Sequence, residues 1–267
     1  MWSDSCRSCS LQSTFWAQPE LPDLSAATFR NSLQIDNPYS PLVPGTTRTY
    51  ESQNTDPETG VKDTETIIID VLNDTRTILG VETRGVRDRV FFEGLLSEDI
   101  VDWYAQDDAG NVWFMGEDAT NYERDAAGNV IEILHDGAWE AGVDGALPGY
   151  IMKANPMVGE NYYEWLLTGE AEDEVTIVSV GQSVTVRGVT FDNMLEIQDS
   201  SVLSTGTTTK YYALGIGDVL ALDFDLDVDG ELVPVGRTEL IPEPSGLWSF
   251  VLGSLVWALC RRCSRRR

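Results

Sequence analysis

Alternation of apolar and polar residues runs through most of the chain, and the 3.6-residue spacing of amphipathic helices is hard to find. After a proline-rich lead holding Pro19, Pro22, Pro38, Pro41 and Pro44, the segment Thr46 to Ser52 alternates and reads as a first strand. Thr64 to Val71, with the β-branched run Ile67-Ile68-Ile69, and Thr77 to Arg84 read as the next two. Val90 to Ile100 is apolar and acidic and leaves room for one helical turn. Val101 to Gln106 and Val112 to Glu117 flank Asp107-Asp108-Ala109-Gly110-Asn111, and Tyr122 to Asp125 and Val130 to Leu134 flank Ala126-Ala127-Gly128-Asn129. Gly-Asn supplies positive-φ turn positions, so each set predicts an antiparallel hairpin.

The second half repeats this pattern. Tyr162 to Gly169, Val175 to Gly181, Val184 to Arg187, Val189 to Asp199, Thr207 to Ala213, Val219 to Val228 and Glu231 to Glu239 are the remaining strand segments. About eight to eleven strands at this spacing predict an all-β domain: an antiparallel meander forming a strongly curved sheet, barrel or sandwich. The curved sheet is the preferred form. The organisation expected is a poorly ordered or wrongly started N-terminal lead over 1–44, an acidic all-β domain over 45–240, and a separate tail over 241–267.

That tail has three parts in fixed order. Pro242-Glu243-Pro244 precedes an uncharged apolar run from Leu247 to Cys260, and Arg261, Arg262, Arg265, Arg266 and Arg267 end the chain. An apolar stretch closed by arginines reads as a transmembrane helix with a basic cytoplasmic stop. Its fourteen residues rise roughly 21 Å as a helix, short of a hydrocarbon core roughly 30 Å thick, so the anchor is marginal. The motif, apolar run and basic end resemble the PEP-CTERM sorting signal of exported bacterial proteins. The resemblance implies recognition of Pro242, Glu243 and Pro244 by an exosortase-like membrane protease, inner-membrane anchoring before cleavage, and delivery to the cell surface or medium. Met1 to Gln18 carries Asp4, Arg7 and several serines and lacks the apolar run of a secretory leader, which predicts a misassigned start or unconventional export.

Charge narrows the partners. The chain holds 44 acidic and 18 basic residues, for a formal charge of −26, with lysine only at 62, 153 and 210. Such a field repels nucleic-acid phosphates, so no nucleic-acid partner is expected; cations, cationic surfaces and neutral extracellular polysaccharides fit better. Cysteine occurs only as Cys6, Cys9, Cys260 and Cys263, too far apart in sequence for a zinc site, and the domain between relies on no disulfide.

Candidate chemistry is sparse. His135 is the single histidine, beside Asp136, and no G-x-S-x-G elbow accompanies it. Glu117 with Asp118, or Glu132, are nominees for a glycosidase pair among many acids. Asp223, Asp225, Asp227 and Asp229 precede Gly230 and resemble the start of a calcium loop, but a loop beginning at Asp225 would place Gly236 where the closing glutamate belongs. Phe224, Leu226 and Val228 alternate with these acids, so a strand is the stronger reading, with weak calcium binding on its acidic face and no other cofactor. Trp103, Trp113, Trp139 and Tyr163 are the aromatics expected to face a ligand.

Two further segments, Trp103 to Gln106 with Gly110 to Glu117, and Lys210 to Ala213 with Gly215 to Gly217, look like a pattern in exported bacterial proteins of unassigned function. The function expected is a non-enzymatic surface or extracellular-matrix protein. A carrier of lipid or apolar ligand in a curved-sheet cavity, and a glycan-binding or glycan-hydrolysing protein, are the alternatives.

Overall fold

The computed structural model describes residues 18–242. Its strands are β1 (Thr47–Thr55), β2 (Lys62–Ile78), β3 (Val81–Phe92), β4 (Leu95–Gln106), β5 (Val112–Arg124), β6 (Val130–Leu134), β7 (Trp139–Glu140), β8 (Leu147–Met152), β9 (Asn161–Leu167), β10 (Ala171–Val186), β11 (Val189–Ser201), β12 (Thr207–Ala213), β13 (Gly217–Leu226) and β14 (Leu232–Leu240). A short 3-10 turn spans Leu24–Ala26. All named strand pairings are antiparallel.

The sheet closes on itself. β1 pairs with β14, the meander runs from β14 back to β8, β8 pairs with β5, and β5 through β4, β3 and β2 returns to β1. The curved antiparallel sheet is therefore closed into a barrel, which removes the unpaired edges an open sheet would expose. β6 and β7 are appendages of β5. Along β5 the partner changes, from β8 at Val112 to Phe114, to β7 at Gly116 and Glu117, and to β6 from Asn121 to Arg124. The wall is thus continuous at one end and has a seam between β5 and β9 toward the other, where Trp139 of β7 stacks on Trp165 of β9 at 4.5 Å.

The strands are longer than the alternation pattern predicts. The expected strand from Thr77 to Arg84 instead straddles the β2–β3 hairpin, where Leu79 and Gly80 have φ of 50° and 83°. Glu93-Gly94 makes the same kind of tight turn between β3 and β4, replacing the helical turn expected within Val90 to Ile100. Val175 to Gly181 and Val184 to Val186 belong to one bulged strand, β10, while Arg187 lies in the turn that follows. β7 and β8 have no counterpart among the expected strands.

Residues 19–44 form a strap, a correction to the poorly ordered lead expected up to residue 44. Ile35 and Leu42 are buried with Val71, Val86, Val112, Met152 and Tyr212 and plug the continuous end of the barrel. Asn37 ties the strap down, its side-chain amide donating to the carbonyls of Gly110 and Lys153 while its Oδ1 accepts from the backbone of Tyr39 and Ser40. Leu24, Ala27 and Phe29 cover the outer face of β3–β5 above Ile78, Trp103, Trp113 and Met115. Burial on both faces explains the unbroken apolar run Val112-Trp113-Phe114-Met115.

β14 ends at this plugged end, Leu240 facing Tyr50 and the Ile241 amide donating to the Thr49 carbonyl. Among the described residues no helix is long and apolar enough to cross a membrane. The expected transmembrane helix over 247–260, Glu243 and Pro244 of the sorting motif, the arginines from 261 onward and the four cysteines lie outside the described residues, while Pro242 is the last one described.

Candidate functional site: an acidic barrel lumen

Strand register sends every second side chain inward, and a set of ionisable residues follows that rule. Val86 faces Asp102, Asp102 faces Glu117, and Lys210 faces Ala221 across their strand pairs. Asp88 follows Val86 on β3; Glu164 of β9, Asp199 of β11 and Asp218 of β13 complete the set. Two cavities open among them. The lower, of about 290 Å³, lies beneath Ser40 and Leu42 of the strap and is lined by Asp88, Asp102, Asp218, Arg48 and Lys210, with Tyr50, Tyr104 and Tyr212 and several aliphatics. The upper, of about 370 Å³, opens toward the far mouth and includes Glu164, Asp173, Asp199, Asp223 and Asp225 in its lining. Lys210 joins the two, its Nζ 2.5 Å from Oδ2 of Asp199.

Enclosure by protein dominates the electrostatics. Burial, with the neighbouring Glu98 charge adding to it, pushes the carboxyls of Asp88 and Glu117 up to about 7. Burial likewise raises Asp102 well above the carboxylate range, Glu117 adding repulsion and the Tyr104 hydroxyl opposing it by donating to Asp102 at 3.0 Å. Asp218 rises to about 6, burial again leading and the Lys210 charge opposing. Glu164 rises by burial and by repulsion from Asp199. For Lys210, burial acts to lower the pKa, but Asp199 and its neighbours outweigh it and hold the ammonium charged. Several of these groups keep partial contact with solvent through the lumen itself, which admits water, while protein surrounds them on the remaining sides.

Polar atoms in the lumen are left without partners. Asp88 Oδ1, Glu164 Oε1, Asp199 Oδ1 and the Tyr162 hydroxyl are buried and make no hydrogen bond. Buried polar atoms are ordinarily paired; these are closed off from the cavity space as well as unpaired, so they are a cost that the fold carries. Apolar walls, a few convergent charges and carboxyls shifted toward neutrality are the features of a small-molecule site.

Most residues singled out from the sequence lie elsewhere. Trp113 is fully buried, with its indole N–H donating to Asp107, and Trp103 is 9% exposed on the outer face with its indole N–H on Asp118; neither faces a ligand, because the strap and the β7–β8 loop cover that side. Tyr163 lies next to the strap, its backbone amide donating to the Glu20 carbonyl. Trp139 is half-buried between Trp165 and Phe114 at the seam. Glu117 is lumenal, whereas Asp118 pairs outside with Arg76 and Glu132 is exposed on β6. His135 is exposed and holds the Ala119 carbonyl.

The acidic ladder is also dispersed. Asp223 accepts from Thr208, Asp225 from Thr205, and Asp227 from the backbone amides of Asp229 and Glu231. Asp229 sits exposed at the turn. Among the described residues no group of three or more His, Cys, Asp or Glu side chains is arranged to hold a metal ion. Alternation holds from Asp223 to Asp225, the bulge lying opposite them at Val235 of β14, and beyond β13 Asp227 caps a turn.

No protein-family model matches the chain, and no curated protein matches it. Two solved structures are similar: a candidate exported protein with a YmcC-like fold from Bacteroides fragilis, at 15% identity and a TM-score of 0.41, and a candidate lipoprotein from Parabacteroides distasonis, at 13% and 0.39. Each match covers 76% of this chain and 97% of the other.

Proposed function

We propose that the chain is an exported binding protein that holds a small polar ligand in its barrel lumen and performs no chemistry on it. The observation that carries this reading is the acidic lumen, where two cavities open among aliphatic walls and carboxyls shifted toward neutrality. Export and exosortase-like processing are supported by the order of Pro242-Glu243-Pro244, apolar run and arginines. A lipid carrier fits less well, since an acyl chain laid against Asp88, Asp102 and Glu164 would leave their oxygens desolvated and unbonded. Native mass spectrometry of protein recovered from the cell surface tests the reading, with an expected adduct in the range of a small polar molecule. Replacement of Pro242 to Pro244 by alanines is expected to leave the protein in the membrane fraction.

A second reading draws on one observation: Asp102 and Glu117 are cross-strand partners, both with raised pKa values. Neighbouring carboxyls in a concave site are the machinery of glycoside hydrolysis. Release of reducing ends from a polysaccharide, abolished by Glu117→Gln, would install hydrolysis in place of simple binding; the binding reading expects none.

A further inference from the structure

One hydroxyl in the lower cavity is enclosed and unanswered. Tyr212 of β12 is 7% exposed and lines that cavity, opposite Asp218 of β13 in the strand register. The Tyr50 hydroxyl donates to the Asp218 carbonyl and the Tyr104 hydroxyl to the Asp102 carboxyl, each at 3.0 Å, whereas the Tyr212 hydroxyl has no partner among the described residues. Unlike the Tyr162 hydroxyl, it is not closed off from the cavity space. A phenol both donates and accepts, so a buried tyrosine held against open space without a partner marks a bonding position for a molecule that enters.

Charge and shape define what fits. Lys210 is balanced by Asp199, and Arg48, whose Nη1 and Nη2 donate to the carbonyls of Ile216 and Pro41, by the neighbouring Asp218, with a pKa of about 6. Burial keeps Asp102 protonated and Asp88, at about 7, roughly half so near neutrality. The space is therefore close to balanced before any ligand arrives, and a charged ligand would add a buried charge without a counterion. The polar groups stand on separate arcs of the ring, Asp102 on β4 and Asp218 with Tyr212 on β13 and β12, while Val86 of β3 and Ile67 and Ile69 of β2 lie between them. A neutral carboxyl and a phenol each donate and accept, as a ligand hydroxyl does. The matching molecule has hydroxyls on more than one side and C–H surface between them. About 290 Å³ is just below the range of roughly 300–1,000 Å³ typical of ligand pockets, which suits a single ring. We infer that the lower lumen binds an uncharged, polyhydroxylated ring of monosaccharide size, with its hydroxyls on Tyr212, Asp218 and Asp102 and its C–H faces against Ile67, Ile69 and Val86. This assignment rests on the binding-protein reading above and names its ligand class.

The experiment is calorimetric titration of the full chain with glucose, galactose and mannose, and with the 2-amino and 6-carboxylate derivative of each. The derivatives keep the ring and add a positive or a negative charge. The expected result is that at least one neutral hexose binds, about tenfold or more tighter than either of its charged derivatives. Tyr212→Phe deletes only the unanswered hydroxyl: it is expected to weaken that hexose about tenfold while the melting temperature of the ligand-free chain holds or rises, which a tyrosine needed for packing alone would not show. Glu132→Gln on exposed β6 is expected to change neither reading. If Tyr212→Phe does not fold, Ile69→Phe, which crowds the cavity, is expected to abolish binding. Preference for a charged derivative, or a hexose affinity that survives Tyr212→Phe or Ile69→Phe unchanged, overturns the assignment while the chain remains a binding protein. Silence with all nine sugars, alongside a different adduct on native protein, overturns the assignment alone; silence with no adduct overturns the binding reading as well.

Discussion

Lys210 pairs with Asp199 inside the lumen, with Glu164 close enough to share its charge. Lys210→Met removes the cation and leaves a carboxylate enclosed without a partner, the arrangement that makes broken buried pairs destabilising. Allowing for the water the lumen admits, the expected loss is about 2 kcal/mol, read from urea unfolding. Protonation gives a second prediction. Asp88, Glu117 and Asp218 hold protons in the folded chain at pH values where the unfolded chain has released them, so their contribution to stability is full below about 4 and declines as pH rises toward about 7. Asp36, Asp70 and Asp108 act oppositely: hydrogen bonds hold them below the usual range, and their contribution fades as pH falls through it. Melting temperature is therefore expected to peak near about pH 5 and to fall by pH 8, and Glu117→Gln is expected to reduce that fall. Little of this was legible in the sequence. Asp102, Glu164 and Lys210 sit where polar residues of any exposed strand would sit, and only closure of the ring turns their face inward.

Turns were the most legible elements. Asp107, Asp125 and Asp227 each accept backbone amides two and four residues ahead, with Gly110, Gly128 and Gly230 at positive φ. Gly-Asn marks the first two as hairpins in the sequence; the third shares their Asp-x-x-Gly geometry without the asparagine, and that geometry accounts for Asp227 of the calcium-like ladder. By contrast, Leu79-Gly80 carries no such mark beyond its glycine, and β2 and β3 were broken at the wrong place. β8 escaped notice because Gly149 interrupts its pattern; a Cβ there would strike the carbonyls of Tyr163 and Glu164 on β9. Gly149→Ala is expected to loosen the β8–β9 pairing, read as faster amide exchange at Tyr163 to Trp165. The lead, expected to be poorly ordered or wrongly started, is ordered from residue 19, where Leu42 is 7% exposed, and Leu42→Ala is expected to cost about 2–4 kcal/mol. β6 has one neighbour, β5, and carries Ile131 and Ile133 at 67% and 54% exposure. An apolar strand edge invites pairing with another chain, so Ile131→Lys with Ile133→Lys is expected to reduce light scattering of concentrated solutions without shifting the melting temperature.

At the scale of the whole molecule, the all-β class and the meander were readable from alternation and turn spacing, whereas closure was not. Closure depends on β1 meeting β14 and β5 meeting β8, contacts between distant segments that no local pattern encodes. The chain's formal charge of −26 works against the compactness of the ring, and raising NaCl from about 0.02 to 0.5 M is expected to raise the melting temperature by screening. Pairing of the first strand with the last also sets a direction. β14 starts near the acidic mouth, where Val235 lines the upper cavity, and finishes beside the strap. A chain fastened through its C-terminal extension would therefore sit with its stoppered base toward the attachment point and its opening facing outward, like a cup held by its foot.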